Sequence, residues 1–483
     1  MIQSRFIIFI LGIFLSILAI AMAIPALMDL LYNDPDWVYF GEAAAITGFV
    51  GILLVLSFWP ENEPIFEVRE AFILTVSSWV LISVFASLPF IFSSAAPTFT
   101  DAFFEAVSGL TTTGATVFRN LDYAPPGILL WRALLQWLGG VGIVVMAMTI
   151  LPALKIGGMQ LFRSEFSDRS EKYYPRVSQI ASAILSTYLL LSVACAISYW
   201  AVGMTPFEAI CMMMTTVSTA GFSTSDLSLG SFDNYWIELI AIVFMIMGSI
   251  TLLLFTRFLH GDFMPLWRDS QVRVYLSLIA IASGFMGIWL WVTARYDLID
   301  SLRYGTFTVV SIASTTGFTT TDFSTWGSFA LIFIFLLMFV GGCTGSTAGG
   351  IKIFRYQILF TAAKGQIFQL RRPHGVFVPL YNNQKLREKD FMSVLAFFAL
   401  YIFCYAALAL SLSLCGLDVI SCLSGSATIL GNVGPGLGTQ IGSAGDYGGL
   451  PDVVKWISMF GMLLGRLELL TLLILFTPSF WRT

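Results

Sequence analysis

Four short stretches rich in glycine and hydroxyl-bearing residues interrupt long apolar runs of this chain. They contain Gly114, Gly221, Gly317 and Gly434, which lie 107, 96 and 117 residues apart. Backbone interrupted in this way leaves N–H and C=O groups unpaired, and each unpaired group costs several kcal/mol in lipid. Such stretches occur at membrane depth only where protein buries them or water reaches them. The near-regular spacing therefore predicts four units around one axis, with the four loops meeting there.

The surrounding composition is that of a membrane protein. Of the 483 residues, 57% are hydrophobic and only 11% are charged, whereas soluble domains carry about 25% charged residues. The net charge of −4 leaves no basic surplus, so a nucleic-acid partner is not expected. Membrane lipid is the expected surrounding partner. The six cysteines stand singly, without metal-ligand spacing or a disulfide framework. The chain is therefore predicted to be an all-α polytopic membrane protein.

The apolar runs and the loops divide the chain into five predicted segments. Each of the last four should hold a span, a pore helix, a loop and a second span, arranged around a central pore, and residues 1–68 add two N-terminal transmembrane helices. A span needs about 20 apolar residues, which predicts ten spans in all. Among them are spans at 235–256 and 452–478. The four repeats are expected at 69–155, 176–260, 270–362 and 388–483.

The positive charges predict the orientation of these spans. With a cytoplasmic N-terminus, nineteen Lys and Arg residues fall on inner segments and four on outer ones. Cytoplasmic segments of membrane proteins carry the excess of positive charge. Both termini are therefore expected in the cytoplasm, and all four loops are expected to enter the membrane from outside.

The four loops have the chemistry of a cation filter. Rings of backbone carbonyls can replace the water shell of a cation, and glycine adopts the backbone angles that such rings need. The short helices before the loops would direct their partially negative C-terminal ends toward the axis. The predicted ion-binding residues are Thr111, Thr112, Thr113 and Gly114; Ser218, Thr219, Ala220 and Gly221; Ser314, Thr315, Thr316 and Gly317; and Gly431, Asn432, Val433 and Gly434. We refer to these as the four glycine loops.

Two acidic residues follow the loops. Asp226 and Asp322 each lie five residues beyond a loop glycine, where a carboxylate can raise the local cation concentration at the outer mouth. A structural cap or a solvated loop explains either residue equally well.

These motifs together carry a family resemblance over essentially the whole chain. Four repeats with one loop glycine each, and a glycine-rich break in the third, resemble the superfamily of Trk, Ktr and HKT potassium transporters. The two leading spans, the loop Gly431-Asn-Val-Gly434 and the break at 341–350 look like the bacterial TrkH/TrkG branch. The resemblance implies potassium uptake across the bacterial inner membrane, a homodimer, and control by a cytosolic nucleotide-binding subunit similar to TrkA. In relatives a serine at the first loop glycine accompanies sodium permeation, so Gly114 implies potassium selectivity. The unusual fourth loop implies that this selectivity is imperfect.

A gate is predicted from the break in the third repeat. Twelve apolar residues, 329–340, are too few to span, and five glycines follow within ten residues. Each glycine costs roughly 1 kcal/mol in a helix relative to alanine. The predicted gate, called the break loop below, comprises Gly341, Gly342, Cys343, Thr344, Gly345, Ser346, Thr347, Ala348, Gly349 and Gly350.

Arg466 is predicted to accompany this gate. It lies thirteen residues into the last span, at a depth of roughly 20 Å, where a lone arginine costs on the order of 3 kcal/mol. We expect it to contact the break loop and oppose cation passage when the gate is shut. Glu468 is a poor partner, because side chains two residues apart on a helix point away from each other. The simpler alternative is a packing kink with an arginine that reaches the inner surface.

Other functions remain open at this point. A proton- or sodium-coupled symporter also has broken spans, and Glu468, in a late span, is its main candidate carboxylate. An enzyme is not expected, because the only histidines are His260 and His374 and no nucleophile–base set is visible. No bound cofactor is expected, and potassium is the substrate. The inner segment 352–390 is either an ordinary positive-inside loop or the docking surface of the regulatory subunit. Whether flux is passive or coupled, the K⁺/Na⁺ ratio, the nucleotide and the dimer faces are not determined by the sequence.

Overall fold

The structure, a computed structural model, is built almost entirely of helices. It describes residues 4–60, 68–93, 95–96, 98–149, 177–259, 261–262, 264–375, 378–382, 384–438, 440–442 and 445–482. Seven helices in this part of the chain are long and apolar enough to cross a membrane, and nine spans result if each of two bent pairs counts as one. The interrupted helix of the third segment is the remaining predicted span. The protein is thus an all-α, multi-pass membrane protein, as predicted.

The N-terminal segment is a pair of closely packed helices. Helix α1 (Ser4–Tyr32) packs along α2 (Trp37–Ser57). A Cβ on Gly12 would lie 2.9 Å from the Gly51 carbonyl oxygen, so small residues allow this close approach. Asp29 of α1 is buried, and its carboxylate accepts a 2.5 Å hydrogen bond from the Gly127 N–H. This bond attaches the pair to the first loop-bearing segment.

In the segment predicted at 69–155, a short buried helix precedes the first glycine loop. Helix α5 begins after Thr98, whose side chain accepts a hydrogen bond from the Asp101 N–H and caps the helix. Every residue of α5 from Thr100 to Leu110 is buried. The helices here are α3 (Val68–Ala86), α4 (Leu88–Phe92), α5 (Phe99–Leu110) and α6 (Pro126–Thr149).

The segment predicted at 176–260 has the same order of elements, but its last span is bent. A capping box between Thr205 and Glu208 starts the short helix. The span predicted at 235–256 is bent and not one straight helix, because the chain turns by 101° around residues 250–251. The break loop bonds to the freed backbone, since Cys343 N–H donates to the Ser249 oxygen (2.8 Å) and Leu252 N–H donates to the Gly345 oxygen (3.1 Å). The helices are α7 (Val177–Ala201), α8 (Pro206–Val217), α9 (Tyr235–Ser249) and α10 (Leu252–Leu259).

The segment predicted at 270–362 contains the predicted interruption. Helix α14 has only ten residues, and the break loop separates it from the next helix. The loop is closed at its neck, where Val340 and Ile351 form a parallel bridge. The helices are α11 (Met264–Arg268), α12 (Ser270–Val292), α13 (Leu298–Ala313), α14 (Ser328–Leu337) and α15 (Ile353–Arg371).

The segment predicted at 388–483 follows a small hairpin and also ends in a bent pair. The strands β1 (Leu380–Tyr381) and β2 (Gln384–Lys385) are antiparallel. The span predicted at 452–478 is also bent, by 110°, because Glu468 and Leu469 adopt φ angles of 62° and 45°. The helices are α16 (Glu388–Leu414), α17 (Val419–Gly431), α18 (Asp452–Arg466), α19 (Leu470–Leu473) and α20 (Pro478–Trp481). The exact bounds of the five segments stay a prediction.

Candidate functional site

The four glycine loops have one backbone shape. In each loop the residue two before the glycine is left-handed, with φ angles of 53°, 52°, 58° and 54° at Thr112, Thr219, Thr315 and Asn432. The loop glycines have φ angles of 80°, 83°, 82° and 101°. The fourth loop differs from the others in sequence but keeps this shape, since asparagine is one of the few residues that visit the left-handed region readily.

The four loops close into a ring. A Cβ built on each loop glycine would meet the carbonyl oxygen just before the glycine of the next loop, and the fourth loop meets the first in the same way. No larger residue fits there without displacing a neighbour's backbone. The distances from the built Cβ to the carbonyl oxygen are 2.2 Å for Gly114 and Ala220, 2.0 Å for Gly221 and Thr316, 2.0 Å for Gly317 and Val433, and 2.6 Å for Gly434 and Thr113.

Four short helices end at this ring. Helices α5, α8, α13 and α17 reach their last residues directly before or within the four glycine loops. Their C-terminal residues are buried. Because the C-terminus of a helix carries partial negative charge, this arrangement provides four negative helix ends around the ring. A cation is favoured there without any charged side chain in the loops.

One face of the ring opens into a cavity of about 270 Å³, lined by all four loop glycines and by residues that follow them. Asp446 forms a 2.7 Å ion pair with Arg119 at its edge and raises the pKa of Arg119 above its ordinary value. Asp226 also lines the cavity, where its carboxylate accepts a 3.1 Å hydrogen bond from the Leu121 N–H. Asp322 is not among the lining residues. It accepts a 2.9 Å bond from Ser324 N–H and caps a 3₁₀ helix, Phe323–Trp326.

The break loop lies against the opposite side of the ring. Its residues are buried, apart from a half-buried Gly350. Gly349 N–H donates a 2.6 Å hydrogen bond to the Thr315 hydroxyl, and the Thr347 hydroxyl accepts one of 3.2 Å from Thr219. Gly349 also faces the fourth loop, since a Cβ on it would lie 2.5 Å from the Gly431 oxygen. The break loop thus contacts three of the four glycine loops.

Thr347 holds the break loop to the second repeat as well. Its hydroxyl lies 3.0 Å from the carbonyl oxygens of Val217 and Gly248, and its N–H donates to the same Gly248 oxygen at 3.1 Å. A second link comes from Gln271 of α12, whose side-chain oxygen accepts a 3.1 Å bond from the Thr344 N–H. These contacts hold the break loop to α8, α9 and α12.

Arg466 contacts the break loop directly. Its Nη1 donates a 3.0 Å hydrogen bond to the Thr347 carbonyl oxygen, and the side chain is buried. Its Nε and Nη2 have no hydrogen-bond partner in the described part of the chain. Glu468 pairs instead with Arg355, whose Nη2 lies 2.5 Å from its carboxylate. Arg466 therefore bonds to a carbonyl and not to a carboxylate, which leaves its positive charge beside the break loop.

Comparison with known proteins decides the family. The family model TrkH, described as a cation transport protein, matches residues 41–483. This chain belongs to the TrkH family of cation transport proteins. It is 44% identical over 468 residues to the Trk system potassium uptake protein TrkI of Halomonas elongata, covering 96% of this chain and 94% of the relative. It is 38% identical to the Trk system potassium uptake protein TrkH of Vibrio parahaemolyticus, with both chains fully covered.

The fold agrees with that assignment. The crystal structure of the potassium transporter TrkH from Vibrio parahaemolyticus matches with a TM-score of 0.91 at 37% identity, covering 99% of this chain and all of that one. The TrkH family is a family of transporters and not of enzymes, as predicted.

Several buried polar residues around the site of this TrkH-family chain escaped the sequence analysis. Lys352 follows the break loop and donates to the Ala348 carbonyl oxygen. Arg132 forms a fully buried pair with Glu105, at 2.7 Å. Gln136 bonds to the backbone of the second glycine loop. The available signal was the presence of charged or amide residues inside or beside apolar spans, where each needs a partner.

Proposed function

We propose that this chain takes up potassium across the bacterial inner membrane as the conducting, gated subunit of a Trk-type system. The closed ring of the four glycine loops carries the proposal. It provides backbone carbonyls, threonine and serine hydroxyls and four negative helix ends, and its loops contain no charged side chain. These are the ligands from which cation filters are built. The names of the relatives, which are potassium uptake proteins, agree with potassium as the ion.

In this proposal potassium binds at the four glycine loops and the break loop is the gate. The break loop and Arg466 lie on the side of the ring opposite the cavity. A positive guanidinium there opposes a cation in the same path, at an energy that the buried environment makes large. Opening requires the break loop to leave its bonds with Thr219, Thr315 and Arg466.

The orientation and the partners belong to the same proposal. Both termini lie in the cytoplasm, the cavity with Asp226 faces outward, and Asp322 raises the cation concentration nearby. The chain works as a homodimer, and a cytosolic nucleotide-binding subunit similar to TrkA controls its gate. The relatives are named as parts of a Trk system, which agrees with separate subunits. No cofactor is bound by this chain itself.

The experiment is cation flux into proteoliposomes that contain only this chain, comparing potassium, rubidium, sodium and lithium. Wild type should favour potassium and rubidium, and Gly114→Ser should reduce that preference, because its Cβ displaces the Ala220 carbonyl oxygen. Absence of cation flux both in wild type and in Arg466→Ala, in which the gate should leak, would contradict the proposal. Flux that requires an imposed proton or sodium gradient would instead favour a coupled symporter.

The docking surface is tested separately. The exposed Arg371 and Arg372, at the end of α15, are proposed to contact the regulatory subunit. Replacing both with glutamate should abolish the response to nucleotide and leave basal flux intact. Arg268→Glu is the matched control, because it reverses an exposed positive charge outside the segment 352–390. An unchanged nucleotide response in the double variant would reject this surface.

A further inference from the structure

Helix α6 presents a stripe of residues to the second glycine loop. Arg132, Gln136 and Gly140 are four residues apart and therefore lie on one helix face. Arg132 Nη1 donates a 3.0 Å hydrogen bond to the Ser223 oxygen. A Cβ on Gly140 would lie 2.8 Å from the Ser218 Cβ. Gln136 lies between Arg132 and Gly140 on this face and contacts the second glycine loop next to Gly221.

Gln136 bonds to the backbone on both sides of Gly221. Its side-chain nitrogen donates a 2.8 Å hydrogen bond to the Ala220 oxygen, and its side-chain oxygen accepts a 3.0 Å bond from the Phe222 N–H. Because a carbonyl can only accept and an N–H can only donate, these partners determine which way the amide points. The side chain is fully buried, so water cannot replace either bond. Two bonds across one residue hold the backbone of Gly221 in place.

The Ala220 carbonyl oxygen is one of the four ring oxygens that lie against the glycine of a neighbouring loop. A Cβ built on that glycine, Gly114, would lie 2.2 Å from the Ala220 oxygen. Its equivalents belong to Thr113, Thr316 and Val433. Among these four, in the part of the chain that the structure describes, only the Ala220 oxygen accepts a hydrogen bond from a side chain. One of these four carbonyl oxygens is therefore held by a side chain and the other three are not, which breaks the fourfold regularity of the ring.

We propose that Gln136 is a positioning residue that sets the potassium-over-sodium selectivity of the ring. The proposal rests on the proposed function. A carbonyl ring discriminates between two cations of different size through the position and freedom of its oxygens. An oxygen held by Gln136 cannot shift toward the smaller sodium ion, so sodium is bound less well than in a freely moving ring.

The neighbouring ion pair between Arg132 and Glu105 holds α6, and with it Gln136, in position beside the glycine loops. Arg132 Nε donates to Glu105 of α5 at 2.7 Å, and Arg132 Nη2 donates to the Thr116 hydroxyl at 3.1 Å. The Arg132 guanidinium also lies over the Phe222 ring, 4.2 Å from its centre. The helix that carries Gln136 is thereby attached to the first loop and to the second. The amide can act on the second loop only because α6 itself is held.

The test is the K⁺/Na⁺ permeability ratio, measured from reversal potentials of wild type and Gln136→Met in liposomes. Methionine has a similar length but forms neither hydrogen bond. The ratio should fall about tenfold, which corresponds to ~1.4 kcal/mol. Gln357→Met is the matched control, because Gln357 donates to the Ser270 carbonyl oxygen away from the ring, and its ratio should equal that of wild type. If Gln136→Met does not fold, Gln136→Leu also forms neither hydrogen bond, adds no charge beside the ring, and should lower the ratio as well.

A double-mutant cycle shows whether Gln136 acts through the Ala220 oxygen. Gly114→Ser displaces that same oxygen, so its effect and that of Gln136→Met should combine to less than their product. Gly317→Ser displaces the Val433 oxygen instead, and its effect should multiply with that of Gln136→Met. An unchanged ratio in both Gln136 variants, or multiplicative effects with Gly114→Ser, would overturn the inference. A wild type without potassium preference would refute the proposed function instead.

Discussion

The substitution Gly221→Ala tests whether the ring has room for one methyl group where the second loop meets the third. Gly221 has a φ of 83°, and alanine in that conformation costs roughly 1–2 kcal/mol. The new Cβ would also lie 2.0 Å from the Thr316 oxygen and 3.1 Å from its carbon. Cβ atoms are not found closer than 3.0 Å to such atoms, so the third loop must move by about 1 Å. The ring has to open at that junction.

Gly416→Ala separates the two effects. Gly416 has nearly the same φ, 85°, but no atom lies within 4 Å of its built Cβ. It therefore carries the backbone cost without the steric one. We expect Gly416→Ala to transport potassium like wild type. We expect potassium uptake by Gly221→Ala to fall about tenfold or more, because the carbonyls proposed to replace the water shell are displaced.

The assay is rubidium uptake into proteoliposomes at matched protein amounts, with thermal unfolding in detergent as the stability readout. Both alanine variants should unfold at lower temperatures than wild type because both carry the backbone cost, and Gly221→Ala should unfold at the lower temperature of the two because it also carries the steric cost. Equal uptake by Gly221→Ala and Gly416→Ala would refute the steric argument, and with it the role of the ring as the path of the ion.

Three further predictions concern the gate and the buried ion pair. Arg466→Ala should raise rubidium leak severalfold without nucleotide, because the positive charge beside the break loop is removed, and unchanged leak in a well-expressed variant would contradict this. Thr347→Val, which keeps the shape but loses the hydroxyl bonds, should also raise leak, and Thr361→Val, which removes only a bond within α15, is its control. Glu105→Gln leaves the buried Arg132 without its partner charge and should cost about 3–5 kcal/mol, seen as loss of monodisperse protein in gel filtration. Loss of the exposed Arg119 pair in Asp446→Asn should not change that yield.

The sequence was sufficient for the parts of this protein that a membrane imposes. Apolar runs of span length, glycine-broken loops between them and an arginine deep in the last span each have few solutions in lipid. Hence the all-α membrane fold could be predicted, and the resemblance of the four repeats and the glycine-rich break predicted the TrkH family. The contact between Arg466 and the break loop followed from the shared depth of the two features.

The sequence was not sufficient where one segment depends on a distant one. The bend after Ser249 is invisible in a run of apolar residues, because the break loop, almost a hundred positions later, bonds to its freed backbone. The partner of Glu468 is Arg355, 113 residues away. Periodicity and composition report only local preferences, whereas these contacts depend on packing.

What the sequence by itself determined is therefore which stretches cross the membrane and which cannot remain helical, since lipid leaves each stretch almost no alternative. Only the tertiary structure decided which residue meets which. It closed four loops into one ring through contacts that a single Cβ would block, and it placed the Gln136 amide on both sides of Gly221. A buried polar group must find its partner wherever folding brings one, and that place is not written in the neighbouring sequence.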